Sequence, residues 1–180
     1  HGGGVGYIGY DWVRRLEKLP PAKPDPLGWP ELAFFRCQQL IALDHVKQRL
    51  VLMVQADPAR WGVRGAFQQI QSQLMDMEQR LRRKVRLPEI AVPGKQVPLS
   101  FDQKIFTQKV RRAQQYIHEG DIFQVVLSER FAKPLQVHPF QVYRALRMIN
   151  PSPYMYYLEY PFGSLIGSSP EVLVRLQQGQ

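Results

Sequence analysis

Apolar residues recur at intervals of three and four positions in three parts of the chain, which is the spacing of one helical face. The three sets are Phe67, Ile70, Leu74, Met77 and Leu81; Phe106, Val110, Ala113 and Ile117; and Phe140, Tyr143, Leu146 and Ile149. The pattern therefore predicts three amphipathic helices. Ser100 is the predicted N-cap of the second helix, and Gly120 is its predicted stop. Pro139 opens the third helix, which ends before Pro151.

Short apolar runs between turn residues predict β-strands elsewhere in the chain. These runs lie at residues 32–35, 40–43, 50–54, 122–127, 154–160, 165–166 and 172–176. A turn within residues 44–48 would join two of them as a hairpin, with a helix as the alternative, and Phe162-Gly163 would turn a second hairpin. Strands in hairpins and helices in blocks predict an α+β fold with a mainly antiparallel sheet.

The first ten residues are rich in glycine, and Gly4, Gly6 and Gly9 satisfy the G-x-G-x-x-G spacing of dinucleotide-binding loops. Such a loop follows one strand, and a second strand about 20 residues later ends in an acidic residue. Here no strand precedes the glycines in the chain, and the later region is a proline-rich loop, K-P-D-P-L-G-W-P. The glycines instead favour a β-strand that another backbone approaches closely.

Proline and glycine concentrate at residues 88–99, which predicts a linker between a sheet-and-helix part, residues 1–87, and a second part, residues 100–180. Cys37 is the one cysteine, so an internal disulfide is excluded and a reduced, cytoplasmic setting fits. No apolar run approaches the roughly 18 residues of a membrane span. The chain starts at His1 and stops just after a strand-like run, so we expect a fragment of a longer protein.

A formal net charge of +9 raises nucleic acid as a partner. The densest basic run lies at the end of a predicted helix, where cations interact favourably with the helix dipole. It consists of Arg80, Arg82, Arg83, Lys84 and Arg86. No zinc-ligand spacing, RNA-binding aromatic signature or basic zipper accompanies it, so a solvated helix end is the better interpretation.

Three features in the second half carry groups suited to chemistry or binding. Gln124 is an amide inside an apolar run, where it needs a hydrogen-bond partner or a ligand. Glu171 ends G-S-S-P-E, residues 167–171, and a glutamate at a strand mouth acts as a general acid when burial raises its pKa. Residues 150–155, N-P-S-P-Y-M, form a proline-stiffened loop that would clamp a small ligand. The structural alternatives are a bonded core glutamine, an exposed turn glutamate and a plain turn.

Together with other segments, these features resemble component I of anthranilate synthase, within the chorismate-utilising enzymes. The matching segments are the glycine-rich start up to Asp11, R-R-L-E-K-L-P at 14–20, G-D-I-F-Q-V-V-L-S-E-R-F at 120–131, Y-R-A-L-R-M-I-N-P-S-P-Y-M-Y-Y-L at 143–158, and G-S-S-P-E. The resemblance covers nearly the whole chain and is weakest at residues 21–99.

This resemblance implies a two-sheet antiparallel sandwich with outer helices, of which the chain is a truncated part. Residues 100–180 would begin the chorismate-binding catalytic domain. The implied reaction is Mg²⁺-dependent conversion of chorismate and ammonia to anthranilate and pyruvate in tryptophan biosynthesis. A glutamine amidotransferase subunit would supply the ammonia, and neither nucleic acid nor a membrane is an expected partner.

The resemblance also implies roles for single residues. Glu171 matches the glutamate beside the C4 hydroxyl of chorismate, and Gly167 and Ser168 match substrate-binding positions. Gln124 stands where the relatives that add water carry a lysine base. Because a glutamine cannot take a proton from water, it favours the ammonia-using branch.

Pro153, Tyr154 and Met155 match the loop that binds tryptophan as a feedback inhibitor in this family. The family's catalytic histidine and metal-binding glutamates would follow Gln180, so no metal ligand is expected in this chain and the segment alone is expected to be inactive. The alternatives are aminodeoxychorismate synthase component I of the folate pathway and a non-catalytic paralogue that binds tryptophan or chorismate.

Overall fold

The computed structural model describes residues 3–87 and 101–177. The described residues form two compact units: residues up to 87 with 158–164, and residues 101–157 with 165–177. Along the described part of the chain, two antiparallel two-stranded sheets come first, three α-helices follow, and a third two-stranded sheet comes last, which confirms the mixed helix-and-strand composition. None of the described helices combines the length and the apolarity that crossing a membrane requires.

Strand β1, Gly3–Ile8, pairs antiparallel with β2, Leu32–Cys37. The two backbones come so close at Gly6 that a Cβ there would lie 2.7 Å from the Cα of Phe34. Only glycine leaves room for this approach, which confirms the prediction for the glycine-rich segment. A short 3₁₀ helix, Tyr10–Arg15, follows β1 at the place where a dinucleotide-binding loop would lead into an α-helix.

Strands β3, Gln39–Asp44, and β4, Arg49–Val54, form an antiparallel hairpin. In its turn the Asp44 carboxylate accepts a hydrogen bond of 3.0 Å from the Lys47 amide. Gln48 has a φ of 48°, a left-handed conformation that tight turns often need. The hairpin prediction is confirmed, and the helical alternative for this region is wrong.

Helix α1, Pro58–Leu81, follows the hairpin. Asp57 caps it by accepting a hydrogen bond of 2.9 Å from the amide two positions on. Met77, from the predicted apolar stripe, is buried at 5% exposure. Gly62, with a φ of 66°, interrupts the helical backbone near its start. The predicted helix is confirmed, with one kink that the periodicity does not reveal.

An aromatic cluster forms the core of the first unit. It consists of Tyr7, Trp29, Phe35, Tyr160 and Phe162. Tyr160 is 7% exposed and stacks on Phe35 and Phe162 at centroid distances of 4.5 and 5.0 Å. Its hydroxyl donates a hydrogen bond of 3.3 Å to the Ala33 carbonyl. Burial raises the pKa of the Tyr160 phenol above its ordinary value, and Tyr7 adds to the rise.

Helix α2, Gln103–Glu119, belongs to the second unit. Asp102 is its N-cap, and the carboxylate accepts hydrogen bonds from the Lys104 and Ile105 amides at 2.9 and 3.1 Å. The predicted cap, Ser100, lies outside the described residues. Gly120 ends the helix with a φ of 82°, a left-handed conformation that favours glycine, so the predicted stop is confirmed.

Helix α3, Pro139–Ile149, precedes a hairpin of β5, Tyr154–Tyr160, and β6, Gly163–Ser169. The three predicted elements are confirmed, although β6 is longer than the predicted two residues. Phe140 on α3 contacts Tyr157 on β5 edge-on, with ring centroids 5.4 Å apart. This contact packs the helix on the strand that follows it.

Two predicted strands are wrong. Residues 122–127 and 172–176 have no regular secondary structure. Phe123 is 94% exposed and Leu173 is 98% exposed, so these apolar runs are not buried. A strand needs a neighbouring strand to bond its N–H and C=O groups, and none of the described strands pairs with either run. An apolar run shows that a segment is suited to a sheet but does not show that a partner strand is present.

Candidate functional site

The β5–β6 hairpin brings two of the three candidate segments together. The N-P-S-P-Y-M loop leads from α3 into the start of β5, and β6 ends at Ser169, two residues before Glu171. Because a two-residue turn joins β5 to β6, the start of β5 lies beside the end of β6. The loop and the G-S-S-P-E turn are therefore neighbours in the second unit.

A side-chain hydrogen bond joins the loop to β6 directly. Ser168 Oγ donates to the Asn150 carbonyl at a distance of 2.7 Å. The Asn150 amide donates to the Leu146 carbonyl at 2.9 Å, which closes the last turn of α3. The beginning of the loop is therefore anchored both to α3 and to β6.

Gly167 lies against the ring of Tyr156 on the neighbouring strand. A Cβ at position 167 would lie 2.6 Å from the Tyr156 Cε1 atom, which is far inside van der Waals contact. Gly167 does not have a positive φ, so the requirement for glycine comes from this close approach alone. The tyrosine ring therefore covers one of the two positions predicted to bind substrate.

Glu171 is exposed and lies just beyond the end of β6. Ser169 Oγ donates a hydrogen bond of 3.0 Å to the Glu171 carbonyl, and Pro170 restricts the backbone between them. The partial burial expected of a general acid is not present in this structure. The carboxylate is accessible to a ligand, and its catalytic role stays a prediction.

Gln124 is exposed, and its side chain makes no hydrogen bond within the described ranges. Its segment is tied to α2 farther along, where Lys109 Nζ donates to Glu129 Oε2 at 3.0 Å. The rings of Phe101 and Phe131 also lie 5.9 Å apart. No hydrogen bond, ion pair or ring contact among the described residues joins Gln124 to the loop or the turn. The structure thus brings together two of the three candidate segments, and the role of Gln124 stays a prediction.

The three loop residues predicted to bind tryptophan differ in their exposure to solvent. Pro153 and Tyr154 are exposed, and Met155 is half-buried. Beside them, the Ser152 hydroxyl oxygen is buried, and no described residue forms a hydrogen bond with it. Buried hydroxyls normally have partners, so the Ser152 hydroxyl is a candidate contact for a ligand of the loop. Its position between two prolines is the sequence signal that points to it.

The described residues do not fit a magnesium site. Among them, no three His, Cys, Asp or Glu side chains lie close enough together to hold one metal ion. Mg²⁺ in proteins is bound through carboxylates in a near-octahedral oxygen shell. A carboxylate set of that kind is absent from residues 3–87 and 101–177.

Two surface cavities lie away from the predicted site residues. One, of about 350 Å³, lies between β3 and α1 and is lined by Gln39, Ile41, Met77, Arg80 and Leu81. The other, of about 400 Å³, lies along α3 and is lined by Gln141, Arg144, Ala145, Arg147 and Met148. The candidate site in the described part is therefore defined by the joined loop and turn and not by these cavities.

Comparison with known proteins gives a consistent result along the whole chain. The family described as chorismate binding enzyme matches residues 1–180. Anthranilate synthase component 1 of Thermus thermophilus is 42% identical over 181 residues, which cover 97% of this chain and 36% of the relative. The protein of the same name from Acetivibrio thermocellus is 38% identical over 192 residues, which cover 99% of this chain and 38% of the relative.

The fold is also similar to that of a solved protein of related sequence. The crystal structure of anthranilate synthase component I from Streptococcus pneumoniae superposes with a TM-score of 0.77 at 29% identity. The match covers 99% of this chain and 40% of that chain. The chain therefore spans well under half the length of the proteins that it matches.

Proposed function

This chain belongs to the family of chorismate-binding enzymes, and we propose that it is part of an anthranilate synthase component I that acts in tryptophan biosynthesis. The observation that carries the proposal is the similarity of nearly the whole chain to proteins of that name, at 42% and 38% identity. The chain spans 36% and 38% of those relatives, so the proposed activity is that of a polypeptide of their length.

In the proposed reaction, ammonia adds at C2 of chorismate and the hydroxyl group at C4 departs. Pyruvate is then eliminated, which leaves anthranilate. Hydroxide is a poor leaving group, so a positioned acid that protonates it lets it depart as water. Glu171 is the proposed acid, and its accessible carboxylate on a turn held by Ser169 supports this role.

The glutamine at position 124 is proposed to indicate that the nucleophile is ammonia and not water. A water molecule needs a base to become a good nucleophile, and a glutamine amide has no basic group at neutral pH. Neutral ammonia is far more basic and more nucleophilic than water, so it adds without such a base, and the nitrogen releases a proton after the C–N bond has formed. The proposed source of the ammonia is a glutamine amidotransferase subunit.

The N-P-S-P-Y-M loop is proposed to bind tryptophan as a feedback inhibitor, with Pro153, Tyr154 and Met155 as contacts. Two prolines limit the conformations of the loop, so little entropy is lost when a ligand binds. An exposed tyrosine ring beside a thioether offers an apolar, aromatic surface that suits an indole ring.

The proposal extends to the architecture of the longer, cytoplasmic protein. Residues 1–87 would form its first sheet-and-helix part, 88–99 a crossover, and 100–180 the beginning of the catalytic domain, in a two-sheet antiparallel sandwich with outer helices. The TM-score of 0.77 supports this arrangement. The Mg²⁺ required for the reaction is proposed to be held by glutamates that follow Gln180 in the longer protein.

A segment exchange tests the proposed function. Residues 1–180 replace the matching segment of the Thermus thermophilus enzyme, and anthranilate fluorescence is followed with chorismate, ammonium and Mg²⁺. We expect the exchanged enzyme to form anthranilate. Glu171→Gln should lower kcat by about 100-fold or more, the usual contribution of a general acid. Glu119→Gln, an exposed change at the end of α2, is the matched control and should change kcat less than twofold.

Three other results would each contradict a part of the proposal. Formation of aminodeoxychorismate in place of anthranilate would assign the segment to the folate branch. A folded exchanged enzyme that binds chorismate or tryptophan without turnover would assign it to a non-catalytic paralogue. Equal kcat values for Glu171→Gln and Glu119→Gln would remove Glu171 from the catalytic residues.

A further inference from the structure

Ser168 connects two segments that the sequence analysis treated separately. Its hydroxyl donates to the Asn150 carbonyl at 2.7 Å, across 18 positions of the chain. A serine hydroxyl has one proton to donate, and this bond uses it. The resemblance assigned Ser168 to substrate binding, but its side-chain donor is directed to the loop.

The composition of the loop explains why it needs this bond. Pro151 and Pro153 have no N–H group, so half of residues 150–153 cannot donate a backbone hydrogen bond. The loop therefore has few ways to hold its own conformation, and the Asn150 carbonyl lies immediately after the end of α3, where carbonyls lack helical partners. A hydroxyl from β6 supplies the missing donor.

Gly167, the residue before Ser168, contacts strand β5 immediately after the same loop. The ring of Tyr156 packs directly on Gly167, while Ser168 bonds Asn150. Two consecutive residues of β6 therefore contact the loop at Asn150 and the following strand at Tyr156, and the buried hydroxyl of Ser152 lies between these two positions in sequence. The loop is clamped to the strand that leads to Glu171.

We infer that Ser168 is a positioning residue that fixes the N-P-S-P-Y-M loop relative to the Glu171 turn, and that its hydroxyl proton is donated to Asn150 and not to a substrate. Ser169 provides a contrast within the same motif. Its hydroxyl bonds the Glu171 carbonyl two positions away, so it shapes the turn locally and does not reach the loop. The consequence for catalysis rests on the proposed function, whereas the consequence for loop order does not.

Hydrogen exchange in the 180-residue chain tests loop order without reference to activity. Ser168→Ala should raise the exchange rate of peptides that cover residues 150–156 by roughly fivefold, the effect of losing one hydrogen bond. Ser168→Thr retains the hydroxyl and should restore slow exchange. Ser169→Ala is the matched control and should leave residues 150–156 unchanged. Peptides from α2, which belongs to the same unit as Ser168, report whether that unit is folded in each variant.

Two exchange results would overturn the inference. One is unchanged exchange at residues 150–156 in a folded Ser168→Ala variant. The other is an equal rise in Ser169→Ala, which would show that the whole motif, and not the Ser168 bond, orders the loop. If Ser168→Ala is unfolded, fast exchange at residues 150–156 in Ser168→Thr relative to the unaltered chain would also count against the inference.

Steady-state kinetics of the exchanged Thermus thermophilus enzyme separate positioning from substrate binding. For a positioning residue, Ser168→Ala lowers kcat about fivefold, because the strand that leads to Glu171 loses its hydrogen bond to the loop, and KM for chorismate changes less than twofold. A rise of KM with unchanged kcat would instead identify a substrate ligand. Absence of anthranilate formation would contradict the proposed function, and hydrogen exchange would still decide the role of Ser168.

Discussion

Gly167 is a glycine whose place in the candidate site is constrained by a neighbouring side chain. The Tyr156 ring occupies the space where any side chain at position 167 would begin. The neighbouring residue, Ser168, is also constrained, because its hydroxyl donates a hydrogen bond to the Asn150 carbonyl. At the scale of single residues, Gly167 and Ser168 of the G-S-S-P-E motif are therefore constrained by contacts with β5 and the loop, in addition to any catalytic role of the motif.

Gly167→Ala should lower the free energy of unfolding by about 1 kcal/mol, at the low end of overpacking costs, because the Tyr156 ring that a Cβ would meet is 40% exposed and can move aside. Urea denaturation measures the change. Gly4→Ala is the matched control, since a Cβ at position 4 in β1 meets its nearest neighbours at 3.6 and 3.8 Å, ordinary contact distances. We expect the control to change stability by less than about 0.5 kcal/mol. Equal effects of the two changes would contradict the packing argument.

Helix α2 is determined by the residues at its two ends as well as by its apolar face. The apolar spacing predicts the helix, and the left-handed conformation of Gly120 ends it. At the other end the Asp102 carboxylate accepts two backbone hydrogen bonds. The segment that follows α2 has no comparable support from a sheet, and it is exposed at Phe123.

Asp102→Ala should destabilise α2 by about 1 kcal/mol, because two amides at the helix start lose their acceptor. Asp102→Asn keeps an acceptor oxygen and should retain most of the stability. Circular dichroism at 222 nm during urea denaturation measures both variants. The assignment of Asp102 as the cap would fail if the alanine and asparagine variants were as stable as the unaltered chain.

The aromatic cluster around Tyr160 shows how contacts between distant parts of the chain build a unit. Residues from the beginning of the chain and from the tip of the β5–β6 hairpin meet there. The Tyr160 hydroxyl reaches the Ala33 carbonyl across 127 positions. Tyr160 is 7% exposed, and this burial favours its neutral form, so its pKa is raised in the folded chain.

The raised pKa of Tyr160 predicts a loss of stability at alkaline pH. Below about pH 10, the ordinary pKa of tyrosine, the phenol is neutral in both states and its contribution to stability is fully present. Above that pH the unfolded state loses the proton first, so the free energy of unfolding falls as pH rises toward the folded pKa. Urea denaturation at pH 8 and pH 10.5 measures the fall.

The matched variant for this prediction is Tyr160→Phe, which keeps the ring and removes the ionisable group. Its free energy of unfolding should fall less between pH 8 and pH 10.5 than that of the unaltered chain. At pH 8 the variant should be less stable by roughly 1 kcal/mol, because the hydrogen bond to Ala33 is lost. An identical pH dependence in the two proteins would show that Tyr160 is not the responsible group.

Most of the elements could be predicted from local features of the sequence. The stripe from Phe67 to Leu81 predicts α1, the stripe from Phe106 to Ile117 predicts α2, and glycine-rich pairing at Gly6 predicts β1. These features act over a few residues, through side-chain periodicity and the φ values that glycine and proline allow. Hence the amino-acid order by itself is enough to determine them.

Only the tertiary structure decided which segments meet. Ser168 bonds Asn150, Tyr156 covers Gly167, and residues 122–127 and 172–176 have no partner strand in the described ranges. Exposure of Gln124 and Glu171 also depends on what packs around them. The sequence by itself determined the local elements and the reactive groups of each motif. Their pairing, burial and mutual support depend on contacts between residues far apart in the chain, which local periodicity does not encode.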